Sequence, residues 1–152
     1  MSPGKVSRRV VLDRLSWVDR MLSEIRSLPL ESREAFASDS RNIWTAESCL
    51  RRALEALFDV GRHILAKAFG KGISEYKEIA DALKGSGVLT REQSDLLKIL
   101  AGYRNRLVHF YHEVSQDELY QICSTRLGDV VAARDAFRAW FDSHPDLVDG
   151  SL

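Results

Sequence analysis

Apolar residues recur along the chain at intervals of three and four residues, the spacing that places side chains on one face of an α-helix. Alternation with a period of two is almost absent, so the pattern predicts an all-α protein. A first helix is predicted to end before Pro29, because proline does not continue a helix. Its apolar stripe consists of Val11, Leu15, Val18, Leu22 and Ile25.

The second helix is predicted to be the longest and to follow a polar stretch, LESREAFASDS, that has room for one short helical turn. Its N-cap is expected at Ser38, Asp39 or Ser40, and its end at Gly70 and Gly72. Apolar residues occupy two flanks of this helix, which indicates burial on more than one side and a central position. The flanks consist of Ile43, Ala46, Leu50, Ala53, Leu57, Val60 and Ile64, and of Leu54, Phe58, Leu65 and Phe69.

Three shorter helices complete the pattern. YKEIADALKGSG predicts a third helix that ends at its glycines, and capping-box patterns at Thr90 and Ser115 begin a fourth helix and a fifth, the last ending before Pro145. Their stripes are Leu96, Leu100, Tyr103 and Leu107 in the fourth helix and Leu119, Cys123, Leu127, Val130, Phe137 and Trp140 in the fifth. The sequence thus predicts one antiparallel helical bundle of about five helices over residues 1–152, with flexible ends at 1–5 and 146–152.

Composition narrows the function classes. The chain has 22 Lys plus Arg and 22 Asp plus Glu, so no overall charge attracts a nucleic acid, and a local basic patch would have to hold one. Cys49 and Cys123 fall in predicted helices without metal-ligand spacing and are expected to be reduced core residues. No segment reaches the length of a signal peptide or a membrane span, so we expect a cytoplasmic protein with no membrane partner.

The stretch RNRLVHFYHEV, residues 104–114, concentrates chemistry at the end of the fourth helix. Arginine presents a planar, permanently charged fork that matches phosphoryl oxygens, and histidine titrates near neutrality. Together they supply the proton transfer and charge stabilisation that cleavage of RNA by its own 2′-hydroxyl needs, without a metal. On an unbroken helix, however, His109 is displaced from Arg104 by roughly 140°. We therefore expect the helix to end near His109, or a second copy to complete the site.

The same stretch fits the pattern Arg, four residues, His, one residue, Tyr, at Arg104, His109 and Tyr111. With the helical layout and the long second helix that contains LEALFDVGRHIL, it resembles the HEPN superfamily, specifically the HepT-type toxins of toxin–antitoxin pairs. The resemblance implies a homodimer whose motifs line a shared cleft, a metal-independent endoribonuclease without cofactor, and a minimal nucleotidyltransferase antitoxin that adds AMP to the motif tyrosine.

Carried over by position, the resemblance makes Arg104 and His109 catalytic and Tyr111 the acceptor of AMP in a type VII-like system. RNA is the implied substrate, with products that end in 2′,3′-cyclic phosphate. Asn105, Arg106 and Asp59 are candidates for a supporting role.

Each motif residue also has a simpler interpretation. Arg104 alone could neutralise a helix C-terminus and pair with a carboxylate, His109 could bond a carbonyl at the edge of the core, and Tyr111 could cover the end of the bundle. The order of the three residues favours the functional interpretation. The alternatives are a non-catalytic HEPN module that binds a nucleotidyltransferase or a nucleotide, and a purely structural helical dimer.

Other polar and aromatic residues are ambiguous as well. Asp59 and His63, four apart, could bind a metal with His109 or His112, although an intrahelical ion pair is favoured. Two further groups, one of arginines and one of tryptophans, allow either a structural role or RNA contact. We favour the structural role for the tryptophans and give it at least equal weight for the arginines. The two groups are Arg51, Arg52 and Arg62, expected on a solvated helix face, and Trp17, Trp44 and Trp140, expected as core or dimer anchors.

Overall fold

The computed structural model describes residues 4–109 and 114–150. Within these ranges the chain forms seven α-helices, a 3-10 turn at Pro145–Leu147 and two very short strands, which confirms the predicted all-α bundle. None of the helices in these ranges is long and apolar enough to cross a bilayer. The elements are β1 (Val6–Ser7), α1 (Arg8–Arg26), α2 (Arg33–Ala37), α3 (Ser40–Phe69), α4 (Tyr76–Gly85), α5 (Arg91–His109), α6 (Gln116–Thr125), α7 (Leu127–Ser143) and β2 (Val148–Asp149).

Helix α3 is the centre of the bundle, as its two apolar flanks predict, and it packs against every other helix. Asp39 is its N-cap and accepts a hydrogen bond from the backbone N–H of Arg41 at 2.9 Å. Gly70 ends it with φ at 66°, a left-handed conformation that glycine adopts without strain. Thr90 and Ser115 form the predicted caps at the starts of α5 and α6.

A glycine inside α3 sets the distance to two neighbouring helices. A Cβ atom at Gly61 would lie 2.9 Å from Leu83 Cδ1 on α4 and 3.2 Å from Phe137 Cζ on α7. Both contacts are closer than carbon atoms normally pack. The missing side chain therefore lets α4 and α7 pack closely against the central helix.

The predicted fifth helix is in fact two helices, which meet at Arg126 with φ −118° and ψ 2°. In the last turn of α6, the hydroxyls of Ser124 and Thr125 donate to the carbonyl oxygens of Tyr120 and Gln121, each at 2.6 Å. Such side-chain bonds to the backbone compete with the regular helical ladder and favour a bend or an end. With the short helix α2, this break brings the predicted number of about five helices to seven in the described residues.

The two ends of the chain meet in a parallel strand pair, which the helical periodicity does not predict. Val6 pairs with Val148, and Ser7 pairs with Asp149. Both valines are buried, Val6 completely. Residues 148 and 149 belong to the range expected to be flexible, and they close the bundle at the start of α1.

The cysteines and tryptophans divide between core and surface. Cys123 and Trp140 are buried, which confirms the core prediction for both, whereas Cys49 is half-buried. Burial, with a smaller contribution from the neighbouring Cys49, raises the pKa of the Cys123 thiol to about 12. The core interpretation is wrong for the other two tryptophans, because Trp17 is 38% exposed and Trp44 is 66% exposed. Their alternative role as dimer anchors stays a prediction.

Candidate functional site

The motif arginine is held against the central helix by a carboxylate. Arg104 lies in the last turns of α5, and its Nε and Nη2 atoms donate to Oε2 of Glu55 on α3 at 3.3 and 3.1 Å. Both side chains are largely shielded, with exposed fractions of 20% and 28%. A charge-assisted contact of this kind fixes the orientation of the guanidinium plane.

The aromatic ring of Tyr76 packs against one face of the same guanidinium. The Cζ atom of Arg104 lies 4.1 Å from the centre of the Tyr76 ring, within the range of a cation–π contact. Tyr76 is the first residue of α4, and its ring packs on the buried ring of Phe58 with centroids 4.7 Å apart. The platform under Arg104 is thus anchored in the core through α3.

Among the residues that the structure describes, the contacts of Arg104 leave one edge of its guanidinium with donors for a ligand. Glu55 occupies the edge formed by Nε and Nη2, while Nη1 is 3.5 Å from Oδ1 of Asn105, at the limit of a hydrogen bond. The Nη1–Nη2 edge therefore retains donors that match two oxygens of a phosphoryl group. Asn105, a candidate supporting residue, thus contacts the catalytic candidate Arg104 through its amide oxygen.

The cluster around Glu55 has an excess of positive charge. The second oxygen of Glu55, Oε1, accepts a hydrogen bond from Nη1 of Arg51 at 3.0 Å. Glu55 thus pairs with two guanidiniums, so the three side chains of Arg51, Glu55 and Arg104 together carry a net charge of plus one. The simpler expectation, that Arg104 pairs with a carboxylate, is correct, and this pairing does not neutralise the cluster.

The remaining motif residues lie at or beyond the end of α5. The backbone of α5 is helical through His109, which places positions 104 and 109 roughly 140° apart around the helix axis. Tyr111 and His112 lie outside the described residues. The expected end of the helix near His109 thus coincides with the last described residue of α5.

The other two candidate supporting residues have partners of their own. Nη1 of Arg106 is 2.6 Å from Oε1 of Glu118, which ties α5 to the first turn of α6. Asp59, one turn after Glu55 on α3, pairs with Arg62 at 3.1 Å and contacts Arg14 of α1 at 3.6 Å. Arg106 thus links α5 to α6 and Asp59 links α3 to α1, so we expect any support that they give the site to be indirect.

His63 has a structural role, and the predicted ion pair between Asp59 and His63 is wrong. Its Nε2 atom accepts a hydrogen bond from the backbone N–H of Ser7 at 2.9 Å, and Asp59 pairs with arginines instead. Burial lowers the pKa of His63, and the charges of Lys67 and Arg14 lower it further. Because the Nε2 lone pair is engaged, this geometry does not favour the metal alternative. In residues 4–109 and 114–150, no group of three or more His, Cys, Asp or Glu side chains is arranged to hold an ion.

Glu55 and Tyr76 are the site residues that the sequence analysis missed. Glu55 is 49 residues before Arg104, so no local motif connects them. One signal was available: charged residues at positions 51, 55, 59 and 62 recur at intervals of three and four residues and so form a single stripe along the central helix. Because a central helix has little reason to keep charges, such a stripe indicates a functional or ion-paired face.

Comparison with known proteins places the chain in a family. A family model described as "Ribonuclease HepT-like" matches residues 18–136. A protein named tRNA nuclease HepT, from Aphanizomenon flos-aquae (strain 2012/KM1/D3), is 25% identical over 119 residues, which cover 78% of this chain and 80% of that protein.

Solved structures show the same fold. A tri-AMPylated Shewanella oneidensis HEPN toxin in complex with MNT antitoxin has a TM-score of 0.76 at 22% identity, covering 86% of this chain and 97% of that one. A toxin–antitoxin structure with AMP-PNP has a TM-score of 0.75 at 22% identity, covering 87% and 99%. The cytosolic protein of unknown function YutE from Bacillus subtilis has a TM-score of 0.73 at 20% identity, covering 92% and 94%.

Proposed function

The chain belongs to the HepT-like ribonuclease family, and from this premise we propose that it is the toxin of a toxin–antitoxin pair and cleaves RNA with Arg104 and His109. One observation carries the proposal: in residues 4–109 and 114–150, Glu55 and Tyr76 fix the guanidinium of Arg104, and its Nη1–Nη2 edge, which contacts Asn105 only at 3.5 Å, retains donors for a ligand. A purely structural ion pair has no need for a donor edge that is left open beside an excess of positive charge.

The chemistry follows from what each group supplies. The 2′-oxygen of RNA attacks the adjacent phosphorus, a base accepts the 2′ proton, and an acid donates a proton to the departing 5′-oxygen. The products are a 2′,3′-cyclic phosphate and a 5′-hydroxyl. Arg104 stabilises the charge that develops on the phosphorane oxygens, and the His109 imidazole transfers a proton. This route takes its acid, base and charge stabilisation from side chains.

We also propose that two copies form the site. Helical backbone at both positions separates Arg104 and His109 by roughly 140° within one chain, which favours completion of the cleft by a second copy. Two exposed apolar side chains lie on the helices that carry the cluster around Glu55. Val108 is one turn after Arg104 on α5, and Trp44 is two turns before Arg51 on α3. Such side chains are typical of an interface. Sedimentation at micromolar concentration should show a dimer, and a monomer would contradict this part of the proposal.

The test of catalysis is the behaviour of His109→Ala in the presence of EDTA. The wild-type chain should cleave single-stranded RNA in EDTA and leave cyclic phosphate ends, while the variant should lose about a hundredfold or more of the rate. Circular dichroism should show the same helical content for both chains. A fully active variant would exclude the mechanism, and a wild-type chain that binds its nucleotidyltransferase but cuts no RNA would support the non-catalytic alternative.

Control of the activity is proposed to act through Tyr111, two residues after His109. AMP on its hydroxyl would place bulk and a negative charge where the substrate phosphate meets Arg104, and so inhibit by occupying the anion site. Incubation with the partner nucleotidyltransferase, ATP and magnesium, followed by intact-mass spectrometry, should add AMP-sized increments to the wild type. Tyr111→Phe should gain none and should escape inhibition. Equal increments on both chains would assign the modification to another residue.

A further inference from the structure

A groove of about 350 Å³ lies between α1 and α3, next to the motif arginine. Ala56, a small buried residue of α3, forms part of its lining, and Arg14 of α1 reaches across to Asp59 at 3.6 Å. Trp17 of α1 and Arg52 of α3 also line it. The groove is thus formed by the two most extensively packed helices of the bundle, which gives it rigid walls.

Glu55 connects this groove to the candidate active site. The same carboxylate that lines the groove holds Nη2 of Arg104 at 3.1 Å. A phosphate bound to the Nη1–Nη2 edge of Arg104 would therefore be linked to the groove through Arg104 and the Glu55 side chain. We expect a neighbouring nucleotide of the same strand to reach the groove along the surface of α3.

The groove offers an aromatic surface and a cation that has no acidic partner within the described part of the chain. Trp17 is 38% exposed, and the Arg20 guanidinium lies 5.8 Å from its ring. Arg52 is exposed, and among the residues that the structure describes its hydrogen bond is to the hydroxyl of Ser48, at 3.1 Å. An exposed indole beside an available guanidinium is the combination on which single-stranded nucleic acids stack.

The charged groups of the lining favour a neutral base over a phosphate as the occupant of the groove itself. Three carboxylates lie along it, those of Asp13, Glu55 and Asp59, against the two guanidiniums of Arg14 and Arg52. Each of these carboxylates pairs with a guanidinium, so the lining presents paired charges and oxygen acceptors, which suit a neutral base. The carboxylate oxygens accept hydrogen bonds and therefore favour a base with an exocyclic amino group.

We propose that this groove binds one unpaired base of the substrate RNA, that of a nucleotide adjacent to the scissile phosphate, and favours a base with an exocyclic amino group. Trp17 stacks on the base, Arg52 contacts the backbone at the rim, and the phosphate lies outside the groove on Arg104. The inference rests on the proposed nuclease function and extends it to a specificity subsite.

Binding of short, labelled, single-stranded RNA to the His109→Ala chain in EDTA tests this inference separately from cleavage. Trp17→Ala should raise the Kd about tenfold, the usual effect of removing one stacking side chain. Trp17→Phe retains a ring and should remain within about threefold of the parent chain. Arg52→Gln provides a second probe on the opposite helix and should also weaken binding, more strongly at low salt. Equal thermal melting of the variants should verify the fold.

The base preference is tested with two matched strands. Oligocytidine carries the amino group and oligouridine has a carbonyl in its place, so the parent chain should bind oligocytidine about fivefold more tightly, the effect of one net hydrogen bond. Unchanged binding by both Trp17→Ala and Arg52→Gln would overturn the subsite, even if the wild type cleaves RNA normally. Equal binding of the two strands would overturn the amino-group preference. Absence of cleavage by the wild type, with these binding effects intact, would instead refute the proposed catalysis.

Discussion

Two arginines contact the same tyrosine ring, and their guanidinium nitrogens differ in the hydrogen-bond partners that they have. Arg104 and Arg62 are 4.1 and 5.5 Å from the centre of the Tyr76 ring, and each pairs with a carboxylate of α3. Arg62 uses all three of its nitrogens, donating to Asp59 and to the backbone carbonyls of Ile73 and Ser74 at 3.1–3.3 Å. Arg104 directs two nitrogens to one oxygen of Glu55, and its third nitrogen, Nη1, reaches Oδ1 of the adjacent Asn105 at 3.5 Å, the limit of a hydrogen bond.

The hydrogen-bond partners of the two guanidiniums therefore distinguish their roles, although both lie on the same ring. A guanidinium has five N–H donors in a fixed plane. When the three nitrogens bond to three different residues at 3.1–3.3 Å, as in Arg62, the side chain fastens a segment, here the loop from α3 to α4. When two nitrogens share one carboxylate oxygen and the third is held at the limit of a hydrogen bond, as in Arg104 among the described residues, the Nη1–Nη2 edge retains donors oriented for an incoming anion. Substitution of Arg104 should therefore lower the cleavage rate with little change in stability, whereas substitution of Arg62 should lower stability with little change in the cleavage rate.

The largest expected effect is on catalysis, from Arg104→Ala. Removal of the guanidinium takes away the stabilisation of the phosphorane charge, so the single-turnover cleavage rate should fall about a hundredfold, or about 2.7 kcal/mol. Stability should change little, because Glu55 keeps its contact with Arg51. Arg104→Lys, which retains the charge without the fork, should recover little of the rate. A large loss of melting temperature with normal cleavage would reverse the assignment of the two arginines.

A smaller effect on the rate is expected from Glu55→Ala, because Glu55 positions Arg104 without contacting the substrate phosphate. The kcat should fall about tenfold, the usual scale for misplacing a catalytic group. The KM should not rise, since a negative charge near the RNA phosphate has been removed.

Two matched variants sharpen the assignment of Glu55. Glu55→Gln retains an oxygen that accepts from Arg104 and should recover part of the kcat. Tyr76→Phe keeps the ring under the guanidinium and should match the wild type. A rise in KM at unchanged kcat would show that Glu55 acts in substrate binding rather than in positioning.

The comparison also explains which features the sequence predicts and which it does not. Helix periodicity and caps predict α1 and α3–α5 well, because those signals lie within about four residues of one another. The Arg104 motif is equally local. Glu55 is supplied by another helix, so its role depends on how α3 and α5 pack. The exposure of Trp17 depends likewise on the neighbouring helices, and the β1–β2 pair joins residues 142 apart, Val6 and Val148.

At the structural position, Arg62→Ala should lower stability and leave cleavage intact. The side chain makes three partly exposed hydrogen bonds that hold residues 73 and 74 against α3, and water replaces them in part when the guanidinium is removed. The free energy of unfolding should decrease by about 1 kcal/mol, measured by urea denaturation. The cleavage rate should remain within about twofold of the wild type. A hundredfold loss of rate in a folded Arg62→Ala chain would contradict the distinction between the two arginines.

The smallest expected effect is a pH dependence of stability at His63, one residue after Arg62 and on the structural side of the comparison. Nε2 of His63 must be unprotonated to accept the N–H of Ser7, and burial, Lys67 and Arg14 lower its pKa in the folded chain. The folded state thus favours the neutral imidazole, whereas the unfolded chain takes up a proton near pH 6.5. His63 therefore contributes stability above about pH 6.5, and this contribution is lost as the pH falls towards the lowered pKa.

His63→Gln offers an amide oxygen to the same N–H and does not titrate, so it serves as the matched control. Urea denaturation at about pH 7.5 and about pH 5.5 should show a larger loss of unfolding free energy for the wild type than for the glutamine variant. The difference should not exceed about 1 kcal/mol, the scale of one net hydrogen bond. An equal loss in both chains would assign the pH dependence to other groups. A larger loss in the variant would mean that the protonated imidazole is the form that the fold stabilises.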